Sequence, residues 1–232
     1  MKYSGKVRGY ALCILAFLLF IVNLWPKAAY VPATAPVSED LYDPMLAVKL
    51  RSVDDLMDYT DSIAHAKNIA LHSAAYWDEM AQVLRYRFYH GYAYYTPGEN
   101  WIAYLSGTLM WNHLHAIVLP DHIMKHPMAA CSQQSIVLME CMKRRGVPHR
   151  AVKFAHHYAV EGRLNGNWKY FDTNMEPVLP AGDRQSLVEY RRDGQFEKMY
   201  THKMDPVRMT FVLQFRSYGD ESAAPAPNAA IF

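Results

Sequence analysis

Three residues of this sequence are of types that together can activate a sulfur: Cys131, His157 and Asp172, in that order along the chain. A thiol attacks a carbonyl carbon only after losing its proton. It loses that proton more readily where a helix begins and beside an imidazole. Cys131 opens the run "CSQQSIVLMECMKRRGVP", which reads as a helix capped by Ser132 or by Cys131 itself and closed by Lys143, Arg144, Arg145 and Gly146 ahead of Pro148. His157 and Asp172 lie in the strand-like runs "HHYAVEGRL" and "NWKYFDTN", separated by Asn165-Gly166, a two-residue hairpin turn. That turn sets Leu164 opposite Asn167, and counting outward sets Ala159 opposite Asp172 and His157 opposite Asn174. Side chains alternate between the two faces of a sheet, so His157 and Asp172 are expected as diagonal neighbours on one face, with His156 pointing the other way. A carboxylate there accepts a hydrogen bond from the far ring nitrogen and holds the imidazole in one tautomer. Glu161 falls on the same face, either tuning the pair or simply solvated.

The elements that must position these groups are partly readable. Ser52 followed by Asp55 starts a helix to about Lys67, and Ser73 starts another to Gly91. The stretch 92–127 is aromatic and histidine-rich, with a turn at Pro97-Gly98. "HRAVKF" is a strand, residues 186–201 form a helix broken at Asp193-Gly194, and 208–217 alternates like a further strand. With 232 residues, 51% of them hydrophobic, the chain can bury one good core. The formal charge of +2 is made of interspersed signs, and the longest basic run is Lys143 to Arg145, which argues against a nucleic-acid partner. His113, His115, His122 and His126 raise a metal alternative. Only His122 and His126 have helical ligand spacing and no third ligand is evident, so neither a metal nor another cofactor is expected.

The N-terminus carries Lys2, Lys6 and Arg8 before the apolar run Tyr10 to Trp25. This reads as a signal anchor, with a cleaved signal or a buried core helix as alternatives. The expected organisation is a basic flank and transmembrane segment over 1–25, a proline-rich tether over 26–44, a folded domain over 45–218 and a disordered tail over 219–232. The positive-inside rule places everything after the anchor outside the cytoplasm, periplasmic or extracellular, or secreted if the signal is removed. Disulfides are favoured there, yet Cys131 and Cys141 on one helix are about 15 Å apart, more than twice what a disulfide spans. A thiol left free in that setting is either inert or kept for chemistry. Cys141, among Leu138, Met139 and Met142, reads as packing.

The stretches "CSQQSIVLMECMKRRGVPHRAV", "HHYAVE" and "WKYFD" together resemble the transglutaminase-like superfamily of papain-fold cysteine enzymes. Members share a cysteine opening a helix, a Gly-Ile/Val-Pro-x-Arg helix end, a His-x-x-x-Glu strand, and a tryptophan shortly before an aspartate. The matching residues are Cys131; Gly146, Val147, Pro148 and Arg150; His157 with Glu161; and Trp168 with Asp172. The family's aromatic two positions after the histidine is Ala159 here, with Tyr158 beside it. The resemblance implies an α+β fold, a papain-like, transglutaminase-like core whose nucleophile helix packs on an antiparallel sheet, preceded here by the N-terminal segment and additional helices. It implies a Cys131, His157, Asp172 catalytic triad that forms a thioester on a peptide or carboxamide substrate and hands it to water or an amine, as a cysteine protease or other hydrolase does, or an acyltransferase. Some animal members need calcium; this chain has no EF-hand-like loop and none is expected. Trp111, Asn112 and Gln133 are the candidate second oxyanion donors by residue type. The alternative is an inactive domain of the same family whose groove binds a peptide or an envelope glycan.

Overall fold

A computed structural model describes residues 3–24, 41–175, 177–179 and 183–219. The chain forms two compact units, one of residues 1–31 and 94–116, the other of residues 32–93 and 117–232. Residues 26–40 of the expected tether over 26–44 and residues 220–232 of the expected tail over 219–232 lie outside the described residues, as does Trp25 at the end of the expected anchor.

In the smaller unit, helix α1 spans Tyr3–Leu24, and the described apolar side chains along it, among them Leu12, Ile14 and Phe17, are exposed. Among the described residues no helix is long and apolar enough to cross a membrane. The aromatic stretch resolves into helix α5, Pro97–Leu109, and a 3₁₀ turn at Asn112–His115. α5 starts at Thr96, whose N–H and hydroxyl both donate to the Glu99 carboxylate at 2.9 Å, while the Glu99 N–H donates to the Thr96 carbonyl at 3.1 Å. Gly107 is required by close packing, because a Cβ there would sit 1.7 Å from Nδ1 of His115. His113 takes a 3.0 Å hydrogen bond from or to the Tyr94 hydroxyl. The histidines 113 and 115 are thus engaged in packing the unit's own aromatic side chains.

The larger unit is α+β. Asp43 caps α2, Pro44–Lys49, accepting from the Met45 N–H at 2.8 Å. Ser52 and Asp55 form the expected reciprocal cap of α3, Val53–Ala66, and Ser73 caps α4, Ala74–Arg87. α4 stops four residues short of the expected Gly91 because Phe88 turns extended and Tyr89 pairs with Met128 in a parallel bridge. Arg87, fully buried, ties this end of α4 to the segment before the cysteine, donating to the carbonyls of Leu50 at 2.7 Å, His126 at 3.0 Å and Met124. α6 is only Pro120–Ile123, so the spacing of His122 and His126 is not that of one helical face. No cluster of three or more metal-ligating side chains occurs among the described residues.

α7, Cys131–Arg144, is followed by Gly146 at φ +66° and by four antiparallel strands: β1 His149–Phe154, β2 Tyr158–Leu164, β3 Asn167–Phe171 and β4 Phe215–Tyr218, in spatial order β3-β2-β1-β4. The β2–β3 register is the one counted from the turn, with Leu164 opposite Asn167 and Val160 opposite Phe171. One sheet face packs on α7, which is buried from Ser132 through Met139. The other face, through Val152, Phe154, Ala159 and Tyr170, packs on α8 Leu187–Arg192, the 3₁₀ turn Glu197–Tyr200 and α9 Pro206–Val212. The break at Gly194 is as expected, with φ +62°. The single strand expected over 208–217 is instead α9 followed by β4. Asp205 accepts from the N–H groups of Val207 and Arg208, and Pro206 occupies the first helical position. That start signal outweighs the alternation that follows it.

Candidate active site

Cys131 is the first residue of α7, and its place is fixed by the residue two positions later. Ala130, not Cys131 or Ser132, is the N-cap, and it has no side chain to cap with. Gln133 supplies the missing bonds. Its Oε1 accepts from the N–H groups of Ala93 at 2.8 Å and Ala130 at 3.2 Å, and its Nε2 donates to the carbonyls of Ala93 and Ile117, each at 2.8 Å. A buried amide with both ends occupied in this way is a strap, and it is unavailable as an oxyanion donor. Trp111 and Asn112, the other candidates, belong to the smaller unit.

His157 sits in the tight link between β1 and β2, where its carbonyl accepts from the Phe154 N–H at 2.9 Å. Its ring stacks on Phe154. Asp172 follows β3 immediately. Both are 1% exposed, and His157 Nε2 lies 2.8 Å from Asp172 Oδ2. The Tyr200 hydroxyl donates to the same oxygen at 2.8 Å, and Tyr170 and Tyr200 are joined hydroxyl to hydroxyl, also at 2.8 Å. Oδ1 of Asp172 accepts from the backbone N–H groups of Asn174 and Met175 at 2.9 and 3.0 Å. Arg85 donates to the Asp172 carbonyl. The carboxylate is therefore held at both oxygens, by groups that all favour its charged form.

Burial by itself would lower the pKa of His157, but the Asp172 carboxylate, and then Cys131, outweigh it and hold the ring up at about 10. Burial would raise Asp172, but the His157 ring and the two backbone N–H groups hold it down at about 2. The other ring nitrogen, Nδ1, has no hydrogen-bond partner among the described residues. Cys131 is nevertheless near enough to act on the ring, and Cys131 and His157 line one cavity of about 420 Å³. All three sequence-predicted residues are thus brought into one site, with the imidazole between sulfur and carboxylate. His156 is exposed and stacks on Phe211 at 4.1 Å, so it faces away from Asp172 as expected, although it reaches the rim of the same cavity.

The sulfur's other neighbours are aromatic. Tyr158 is 4% exposed, its hydroxyl has no hydrogen-bond partner among the described residues, and burial, then Cys131, then Tyr92 push its pKa up. Cys141 is fully buried, and burial raises its thiol far out of the physiological range. Glu161 is neither solvated nor in contact with His157. It is buried, accepts from Arg150 Nε and Nη2 at 2.8 and 2.6 Å, and takes the N–H of Leu187 at 2.6 Å. Arg150 lies between the rings of Trp168 and Tyr218. The motif residues Arg150, Glu161 and Trp168 therefore brace the sheet against α8. A larger cavity, about 700 Å³, lies among α8, α9 and β4 and contains none of the three predicted residues.

Tyr200, Tyr170 and Arg85 hold Asp172 and were not found from sequence. They lie in separate segments with no local pattern that ties them to it. Gln133 is a strap and not the oxyanion donor its residue type suggests, and a glutamine three positions past the cap is the signal for that role.

No protein-family model matches the chain, and no curated protein matches it. A solved structure described as the crystal structure of a TGase superposes with a TM-score of 0.38 at 13% identity, covering 61% of this chain. The chain spans 36% of that structure's length.

Proposed function

We propose that this protein is a cysteine enzyme of transglutaminase-like type that cleaves or exchanges amide bonds through a thioester on Cys131. The observation that carries this reading is the buried 2.8 Å pair of His157 Nε2 and Asp172 Oδ2, with the free Nδ1 edge and Cys131 on one cavity. In the reaction His157 carries the proton as imidazolium beside the Cys131 thiolate, and the thiolate adds to the substrate carbonyl. The backbone N–H groups at the start of α7 stabilise the oxyanion. His157 then protonates the departing amine, a role for which Asp172 keeps the ring charged and oriented. Water or a second amine releases the acyl group.

The test is site-resolved alkylation of the full chain by iodoacetamide near neutral pH. Cys131 is expected to label fast while Cys141, buried in the helix core, does not. His157→Ala should slow Cys131 on the order of a hundredfold. Slow labelling of Cys131 that does not change in His157→Ala would defeat the reading.

A further inference from the structure

Helix α5 is amphipathic, but its large apolar side chains are turned outward. Gly107 faces the packed side, against the ring of His115. Ile102, Leu105 and Leu109, at helical spacings of three and four, form an exposed stripe that continues into Met110 and Leu114. Leu109 is 78% and Met110 80% exposed. The stripe has little polar chemistry around it. Between Tyr94 and Ala116 the only lysine, arginine, aspartate or glutamate is Glu99, and its carboxylate takes the N–H and the hydroxyl of Thr96. The exposed Thr108 hydroxyl donates to its own helix, at the Tyr104 carbonyl 2.8 Å away. Burial, and then His113, hold the pKa of His115 below its ordinary value, so that ring adds no charge near neutral pH. Trp101, Tyr104 and Trp111 are partly exposed in the same segment.

We propose that α5 docks on a lipid surface, with Ile102, Leu105, Leu109 and Met110 sunk into the boundary between headgroups and acyl chains. Two observations favour lipid over a protein partner. Specific protein interfaces carry about one hydrogen bond per 100–200 Å², and the stripe itself has no group to make one. The second observation is α1, which touches α5 within the same unit. From Tyr10 to Leu18 it is uncharged and exposed on every side. A protein face covers one side of a helix, whereas an apolar medium covers all of them. Lipid serves both helices at once, and tryptophan and tyrosine rings, apolar in body and polar at one end, suit the headgroup level. The proposal does not depend on the chemistry of Cys131.

The test places a nitrobenzoxadiazole label at Leu109→Cys or at Ile102→Cys in the full chain carrying Cys13→Ser and Cys131→Ser, with Cys141 too buried to react. Arg192→Cys, exposed in the larger unit, is the control. The protein is mixed with phosphatidylcholine vesicles whose acyl chains carry a nitroxide. Emission at Leu109→Cys and Ile102→Cys should shift to the blue and fall at least about twofold, as for a probe about 5–10 Å deep. The control should not change, and about 0.3 M salt should leave the quenching intact because no ion pair is involved. No vesicle binding, equal quenching at Arg192→Cys, or quenching lost in salt would overturn the proposal. Binding without quenching at α5 would leave α1 as the lipid contact and overturn it too. A blue shift that grows with protein concentration before vesicles are added would assign the stripe to a second copy of the chain instead.

Discussion

The Asp172 carboxylate receives four hydrogen bonds, from His157, Tyr200 and the backbone of Asn174 and Met175, and the pH response of the protein follows from them. Its pKa is lowered on folding, from 3.8 to about 2, so its contribution to stability is complete above the unfolded value and is lost as pH falls toward about 2. His157 is raised on folding, from 6.5 to about 10, so its contribution is complete below 6.5 and is lost as pH rises toward about 10. Thermal melts should therefore be highest on a plateau between these windows. In Tyr200→Phe one donor to the carboxylate is gone. The acid limb should move to higher pH, and the plateau should fall by about 1 kcal/mol. An unchanged acid limb would remove Tyr200 from the network. His157 and Asp172 were legible as a pair because a hairpin turn fixes register and register fixes facing. Tyr200 was not, because it reaches Asp172 through the tertiary fold, 28 residues away in sequence.

At the level of elements, the position of the sulfur depends on how α7 begins. Four backbone groups from Ala93, Ile117 and Ala130 end on one amide, that of Gln133. Replacing it by alanine leaves those groups buried without partners, at about 1–3 kcal/mol for each that water cannot reach. Gln133→Ala should therefore lower stability by several kcal/mol, about 2–4 allowing for relaxation, and should slow Cys131 labelling even in the fraction that stays folded. Circular dichroism melts paired with site-resolved labelling will show both effects. Full labelling at wild-type rate would mean that the helix start holds itself. Helices with side-chain caps, such as α3 at Ser52 and α4 at Ser73, were legible because the cap is local chemistry. Alternation in 208–217 points to a strand, but the Asp205-Pro206 start just before it makes the first part of that stretch α9.

For the molecule as a whole, the sheet separates two functions of packing. The face toward α7 packs the helix that begins at Cys131, and the face toward α8 and α9 holds the Tyr170, Tyr200 and Asp172 chain in its apolar core. The α+β class was readable from the succession of periodic segments. The make-up of the cavity lining was not, since Arg85, His156 and Arg208 come from distant parts of the chain and meet only after folding. The spacing of the two thiols on α7 carries a further consequence. Peroxide converts a reactive thiolate to a sulfenic acid, which a neighbouring sulfur can rescue by condensing with it. Cys141 is the only other thiol in the larger unit. It is buried within α7, about 15 Å along the helix from Cys131, and cannot act as a resolving partner. Oxidation should therefore run on to the sulfinic acid unless a small external thiol intervenes first. Mass spectrometry of peroxide-treated protein should find a two-oxygen adduct on Cys131, suppressed by dithiothreitol added early and irreversible when it is added late. An internal disulfide between Cys131 and Cys141 would contradict this.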